Sequence, residues 1–583
     1  MPKLILIDHS LKGVGGHHFE YAVQVLEAAD RAGYEPILAA NRRFASGKVL
    51  PTHWRLLAPY RFATYTRAAL VRDLFRRFPP AGRAEDAVAT PPVRPGFAIL
   101  RRWREGLREL ERRRRGRHRR RDFERSTRTL FRKVQLSRGD RVFVPTLNDV
   151  DVAGLLRYLD SDPSSRLADW HLQFHDNVEP DWDADPARLA DHRARLRRVF
   201  DSLRRRLATH RIHLYATTEA LAQQYDRLGS LPFRALPFPL GTSERSAGVP
   251  PSRSLRIVFL GAGRSEKGLH ALLPIVEELA AGRLAERRLQ LVVQVKSPAK
   301  LPLAAQRLAL RASATDANVA PAIRFVPHPL QTDAYRELVA GADVGLLLYD
   351  RWRYLDRFSG VFADLLGAGV PVIVSAGCWM AEQIAEEIFR HRERLRQRLR
   401  AISSLRCTDL ERDGAAWGLT LDVPAGATHA IVAFRWDGEA LRSRYVRLES
   451  QQRDVAARPT RERVEILGHR QDRSELPALI ELAEGTRRLQ LRWRSAYGTG
   501  AIMLDGVRAD FLSAAHEPAR SCPTGAVGLV AAEPSEVPLL LREMAEQHAH
   551  YRRTALEFGR RFRLQHSPER TVGVLLGQRA PLP

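Results

Sequence analysis

Gly261-Ala262-Gly263-Arg264-Ser265-Glu266-Lys267-Gly268 places two cations among three glycines, directly after the apolar run Leu255 to Leu260. Glycine lets backbone N–H groups come close to a ligand, and an arginine with a lysine can neutralise a diphosphate and the charge it gains on leaving. The alternative is a pair of exposed cations in an ordinary turn. A second group, Tyr354-Leu355-Asp356-Arg357-Phe358-Ser359-Gly360-Val361-Phe362-Ala363-Asp364, sets two carboxylates either side of a Ser-Gly turn. That turn is expected to open a helix, with Asp356 in the loop before it and Asp364 inside it. The amides of Ser359, Gly360 and Val361 then face a phosphate, one carboxylate reaches a sugar hydroxyl, and the other accepts from a ribose. The bland counterpart is a helix cap and a surface charge. A weaker group is Gly13-Val14-Gly15-Gly16-His17-His18, whose glycines suit close approach to a phosphate or sugar but also mark plain tight turns. Its spacing is not the dinucleotide G-x-G-x-x-G pattern, which argues against a nicotinamide enzyme.

Each group follows a strand and precedes a helix, and that order organises most of the chain. Leu4 to Ile7 reads as a buried strand and Phe19 to Ala32 as a helix, with further strands at Pro36–Ala39, Val142–Val144, His171–Phe174 and Leu214–Thr217. A proline-rich stretch from Phe233 to Ser254 suits a linker. The pattern then restarts with strands at Leu255–Leu260, Leu289–Val295, Ile323–Val326, Val344–Leu348 and Val370–Val374. Alternating strands and helices predict parallel sheets covered on both faces, and ligands of such sheets bind at the carboxyl ends of the strands. From Leu419 to Leu504 the strands become short and alternating, with turns and no helices between them, which predicts a β-sandwich. Ala526 to Ala531 and a helix from Glu536 to Phe558 resume the α/β style. The fold class expected is therefore α/β, two Rossmann-like domains with a β-sandwich inserted in the second. The expected domains are 1–240, 254–385 with 519–565, the insertion at 406–517, and a C-terminal tail at 566–583. Five aromatics of the insertion, Trp417, Trp436, Tyr445, Trp493 and Tyr497, form either a stacking platform for carbohydrate or its core.

Composition narrows the classes further. The net charge of +27 in 583 residues comes mostly from arginine, and so basic a surface attracts polyanions such as nucleotide diphosphates, anionic lipid or nucleic acid. It is densest at 101–133, around Arg112-Arg113-Arg114-Arg115-Gly116-Arg117. That segment reads as a basic amphipathic helix interrupted near Gly116. It is either a solvated face or a surface for acidic headgroups or a polyanionic acceptor. Nucleic acid is not expected, since the chain lacks the alternating aromatic and basic strand motif of common RNA modules. Three cysteines, Cys378, Cys407 and Cys522, lack metal-ligand spacing, so no disulfide framework, no metal and a reducing, cytoplasmic compartment are expected. The first residues stop at a charge too early for a signal peptide, and no apolar run is long enough to span a bilayer.

Taken together, Gly15-Gly16-His17, His175-Asp176 after a strand, Arg264-Ser265-Glu266-Lys267-Gly268, and Asp356 to Asp364 ending in Gly369-Val370-Pro371-Val372 resemble glycosyltransferase family 4. The resemblance covers about 1–380 and 520–565. It implies the GT-B fold, two Rossmann-like domains facing a cleft, and a retaining, metal-independent transfer from a nucleotide diphosphate sugar, with the donor as substrate and no cofactor. It also implies that Arg264 and Lys267 hold the diphosphate and that Asp356 and Asp364 stand at the two glutamate positions of the family's E-x7-E motif, one methylene shorter. His175 matches a histidine near the donor sugar; its bland counterpart is a strand-end histidine. The amides of Gly15 and Gly16 contact phosphate or acceptor. A glycan or lipid-linked acceptor and a peripheral contact with the inner face of an anionic membrane through 101–133 complete the expectation. The rival reading is a catalytically inactive GT-B protein that binds carbohydrate.

Overall fold

The computed structural model describes residues 1–14, 17–44, 49–63, 95–178, 186–241, 254–261, 263–280, 289–296, 323–437, 445–468, 476–495, 502–514 and 523–578. The chain divides into two compact units. One comprises Met1–Glu179, Asp183–Pro239 and Ser567–Leu582; the other is essentially Leu240–His566.

The first unit is built on seven parallel strands: β1 (Lys3–Asp8), β2 (Glu35–Asn41), β3 (Arg55–Tyr60), β4 (Arg141–Leu147), β5 (Asp169–Phe174), β6 (Arg211–Ala216) and β7 (Arg234–Ala235). Their spatial order is β3-β2-β1-β4-β5-β6-β7. Leu4, Ile5, Leu6 and Ile7 are fully buried, as a strand covered on both faces requires. The covering helices are α1 (His17–Arg31), α2 (Pro95–Lys133), α3 (Asp149–Ser161), α4 (Pro186–Arg206) and α5 (Glu219–Asp226). In α3 the Asn148 side chain caps the first turn by accepting from the amides of Val150 and Asp151, which satisfies donors that the helix itself leaves open.

The arginine-rich segment corrects the sequence reading in one respect. Helix α2 runs unbroken through Gly116, because packing outweighs the roughly 1 kcal/mol that an interior glycine costs. Its last turns belong to the core: Phe123, Leu130 and Phe131 are buried. At Gly154 of α3 an added Cβ would lie 2.6 Å from the Arg120 carbonyl oxygen, so only glycine lets the two helices close. The segment 566–583, read from sequence only as a tail, carries a helix at Pro568–Leu575. Val572 and Leu575 of that helix are buried in the cluster formed by α1 and β1, and the Thr571 hydroxyl donates to the Pro237 carbonyl oxygen at 2.8 Å.

The second unit repeats the plan. Its six parallel strands are β8 (Leu255–Phe259), β9 (Leu289–Val295), β10 (Ile323–Pro327), β11 (Val344–Leu347), β12 (Val372–Ser375) and, after the insertion, β22 (Gly528–Ala531). Their order is β10-β9-β8-β11-β12-β22. The helices used below are α6 (Leu269–Ala280), α7 (Thr332–Ala340), α8 (Gly360–Gly367), α9 (Trp379–Arg398), α10 (Val537–Glu546) and α11 (His548–Gln565). The helix read as continuous from Glu536 to Phe558 is two, broken at Gln547. In both sheets the order reverses beside the first strand, at β1/β4 and at β8/β11. At such a switch point the loops above neighbouring strands diverge and leave a crevice.

Between β12 and β22 in sequence lie two antiparallel sheets. One has the order β13-β21-β16-β19 and the other β14-β15-β20-β17-β18. The strands are β13 (Arg400–Cys407), β14 (Glu411–Asp413), β15 (Ala416–Asp422), β16 (His429–Asp437), β17 (Tyr445–Arg453), β18 (Pro459–Gly468), β19 (Leu476–Glu481), β20 (Arg488–Ser495) and β21 (Met503–Ser513). The two sheets share one apolar core, the expected sandwich arrangement. Trp436 and Trp493 lie inside that core, and the Trp417 indole N–H donates to the Ile502 carbonyl oxygen at 2.7 Å. These three tryptophans are therefore packing residues. The Tyr445 side chain and Tyr497 lie outside the described residues.

Arg392 of α9 joins the insertion to the α/β layer. It is 5% exposed, donates to the carbonyl oxygens of Pro477 at 3.0 Å and Thr524 at 3.3 Å, and pairs with Glu465 at 2.7 Å. Arg392→Ala leaves a carboxylate and two carbonyls without their donor, a loss on the order of 3 kcal/mol. The expected readout is a lowered denaturation midpoint with early loss of amide-exchange protection in β18 and β19; an unchanged midpoint contradicts the assignment. Among the described residues no helix is long and apolar enough to cross a membrane.

Candidate functional site

At the switch point of the second unit the chain leaves β8 through Leu260 and Gly261, makes a short 3-10 turn at Ser265–Lys267, and enters α6. Gly268 closes the turn with φ +83°, and a Cβ there would sit 1.8 Å from the Leu348 carbonyl oxygen. The loop is thereby laid directly against the end of β11, an approach that only glycine permits. As a result the two cations read from sequence as one pair are unequal. The Arg264 side chain is 43% exposed and pairs with Glu266 at 3.2 Å. Lys267 is only 5% exposed, with its Nζ 4.9 Å from the centre of the Tyr349 ring and its stem where a Cβ on Gly261 would be. Among the described residues it forms no ion pair. Burial, with the nearby Arg264 charge adding to it, pushes the Lys267 ammonium down to about 7; Glu266 and Asp364 oppose this only in part.

The neighbouring strand ends contribute the rest. His328 follows β10, and burial together with the charges of Lys296, Lys267 and Arg264 pushes its imidazole down to about 4, so it is neutral at pH 7. Its buried Nδ1 has no hydrogen-bond partner among the described residues. Ser359 caps α8, its hydroxyl accepting from the Phe362 amide at 3.3 Å, so Gly360 and Val361 form the first turn with amides that the helix leaves open. Asp364 lies inside α8, as the spacing predicts, and accepts from the Tyr335 hydroxyl at 2.8 Å. The Tyr349 and Tyr354 rings meet tilted at 58° with centres 4.6 Å apart, and Arg357 lies 5.5 Å over Tyr354. Arg264, Lys267, Ser359, Gly360, Val361 and Asp364 are thus gathered on one edge of one sheet, around a concentration of positive charge. Asp356 belongs to the same loop but is fully buried. Its carboxylate is enclosed, not presented at the surface where a sugar hydroxyl could meet it.

His175 sits in the other unit, just past β5, with its Nε2 2.6 Å from the Pro145 carbonyl oxygen of β4. Gly15 and Gly16 lie outside the described residues. The first unit also has polar groups at its switch point that the sequence reading passed over. Asp8 ends β1, accepts from the Ser10 amide at 2.9 Å, and faces His18 Nδ1 at 2.9 Å. Burial opposes ionisation of both, yet their mutual attraction and hydrogen bond hold Asp8 below the usual carboxylate range and raise His18. Beside them, buried His9 lies 3.3 Å from Asp151, which Arg119 of α2 also grips. Burial would raise the Asp151 carboxyl, but His9 and Arg119 outweigh it and lower it. Asp8 and His9 were detectable as polar residues ending an apolar strand. The Arg119 to Asp151 contact was not, because it depends on how two helices pack. His328, Tyr335, Tyr349 and Tyr354 carried no spacing signal at all.

No protein-family model matches the chain, and no curated protein does. Among solved structures the chain is similar to a UDP-forming alpha,alpha-trehalose-phosphate synthase from Burkholderia xenovorans, at 13% identity and TM-score 0.38, over 66% of this chain and 86% of that one. It is similar to an alpha,alpha-trehalose 6-phosphate synthase from Burkholderia multivorans, at 12% and 0.40, over 66% and 84%. It is also similar to the N-terminal domain of a Candida albicans trehalose-6-phosphate phosphatase, at 11% and 0.40, over 66% and 85%.

Proposed function

We propose that the chain is a glycosyltransferase that moves a sugar from a nucleotide diphosphate donor to a glycan or lipid-linked acceptor, with retention and without a metal. The observation that carries this reading is Lys267, buried without an ion pair among the described residues, beside Arg264 and the open first turn of α8 at a sheet switch point. A lysine buried at such cost is poised for an anion, and a diphosphate is the anion that also uses the flanking arginine and helix amides. Asp364 supplies an acceptor for ribose hydroxyls, and neutral His328 adds a hydrogen-bonding group at the next strand end.

In this reading the acceptor hydroxyl oxygen bonds to the anomeric carbon as the bond from that carbon to the diphosphate oxygen breaks. The hydroxyl proton passes to the departing diphosphate, whose charge Arg264, Lys267 and the amides of α8 stabilise. No protein nucleophile is required. Asp356 acts by holding the loop that ends in Ser359. His175, Gly15 and Gly16 belong to the first unit, the acceptor-side domain in this reading. Exposed Arg114, Arg117 and Arg121 of α2 fit the peripheral membrane contact, which cosedimentation with phosphatidylserine vesicles checks.

The test is calorimetric titration with nucleoside diphosphates and their sugar conjugates, coupled to an assay for released nucleotide. Wild type is expected to bind at least one of them and turn it over. Arg264→Ala is expected to weaken binding about tenfold, the lower end for a charge-assisted contact because Arg264 is half exposed. Binding that ignores this substitution, or no nucleotide bound at all, rejects the proposal.

A further inference from the structure

A second concavity lies on the same carboxyl edge, with Tyr349 as one of its walls. It measures about 190 Å³ and is enclosed by the ends of β11, β12 and β22 and the first turn of α6. Pockets for drug-sized ligands run to roughly 300–1,000 Å³, so this one takes a single ring and excludes a nucleotide.

Its walls combine apolar side chains with polar ones of both charge signs that are held in place. Asp350, Arg351 and Trp352 come from the loop after β11, Ser375 from the end of β12, and Glu533 from the end of β22. The Asp350 carboxylate accepts from the Arg353 amide at 3.0 Å, while the Asp350 amide donates to the Glu266 carbonyl oxygen at 3.0 Å. Glu533 is held by Arg447 of the insertion at 2.9 Å, with Arg351 at 3.9 Å. Trp352 packs against the cluster of Leu355, Ala376 and Ala532, and Val464 of the insertion packs against the same cluster. The two-sheet insertion therefore braces the Glu533 wall through Arg447 and shares the apolar cluster on which Trp352 rests.

We propose that this cavity binds one neutral pyranose. Two carboxylates and a guanidinium around one ring-sized space match the vicinal hydroxyls of a sugar, which both donate and accept, and the Trp352 indole offers an apolar wall for the C–H face of the ring. Charges of both signs disfavour an anionic or cationic ligand. The site is separate from the diphosphate site and does not rest on the glycosyltransferase reading. Tyr349 is a wall of the cavity and also lies over Lys267, so the two sites meet at one side chain.

The test is saturation-transfer NMR and calorimetry of the full chain with glucose, galactose, mannose and N-acetylglucosamine. At least one is expected to bind with a dissociation constant of about a millimolar, the range that a dozen non-hydrogen atoms can reach. Ser375→Leu fills the cavity and is expected to weaken that binding at least tenfold while leaving nucleotide binding unchanged. If Ser375→Leu fails to fold, His270→Trp, at an exposed position on the rim, closes the mouth instead and is expected to have the same effect. Lys267→Met is expected to keep sugar binding whatever it does to nucleotide. No monosaccharide bound at ten times that concentration, or binding that survives the filling variant, overturns the proposal.

Discussion

Lys267→Met is expected to make the protein harder to unfold and unable to hold a diphosphate. The lysine is buried without an ion pair among the described residues, and its ammonium titrates near 7 when folded against 10.5 in the reference state. The folded chain therefore resists protonation that the unfolded chain accepts freely. Below pH 7 both states hold the proton and the full penalty applies, on the order of 5 kcal/mol. Between pH 7 and 10.5 the folded chain has shed its proton, so stability climbs with pH across that window and the penalty is gone above it. Methionine fills similar space with no charge and lacks this slope. Denaturant unfolding of both proteins at pH 6.5, 8 and 9.5 checks the expectation: the gap should be largest at the lowest pH and should close as pH rises. Equal stabilities throughout would mean that Lys267 is not buried as described. A bound diphosphate restores the ammonium, so nucleotide binding at pH 8 is expected to take up a proton. Titration in two buffers of different ionisation enthalpy measures that uptake.

Gly268→Ala is expected to be among the most damaging single substitutions in the second unit. Its φ of +83° disfavours any side chain, at a cost of about 1–2 kcal/mol. The larger effect is the approach of the new Cβ to within 1.8 Å of a backbone oxygen, that of Leu348. Backbone of a buried strand end cannot swing aside as a side chain can, so the loop must lift from β11 and carry Arg264 and Lys267 with it. A loss of about 3 kcal/mol or more, together with loss of nucleotide binding, is expected. Gly33→Ala is the control. Its φ of +82° is the same, but nothing lies within 4 Å of the added Cβ, so only the conformational cost remains. If the two variants lose the same stability, the close packing of the loop against β11 is refuted.

Both predictions rest on a loop that was legible before any coordinates. The alternation of apolar runs with helical stretches marked two parallel sheets, and the short strands from Leu419 onward marked the two-sheet insertion, because period and spacing are local properties of a chain. The Ser-Gly turn opening a helix, with Asp364 inside it, was equally local. The enclosure of Asp356 was not, since an aspartate four residues before a helix reads identically whether it meets solvent or the core. The arginine tract shows the same limit. Its charge suggested a solvated face, yet Arg119 is spent on Asp151 and the end of α2 is core.

By itself the sequence determined where the strands end, and so on which edge glycines, cations and carboxylates fall. It also marked the segment between β12 and β22 as a separate all-β body. Only the tertiary structure decided that Lys267 is buried and Arg264 is not, that His328 and three tyrosines join them, and that the insertion braces a second cavity through Arg447. Burial and charge proximity depend on contacts between residues far apart in the chain, and no local pattern encodes which distant backbone a side chain will meet.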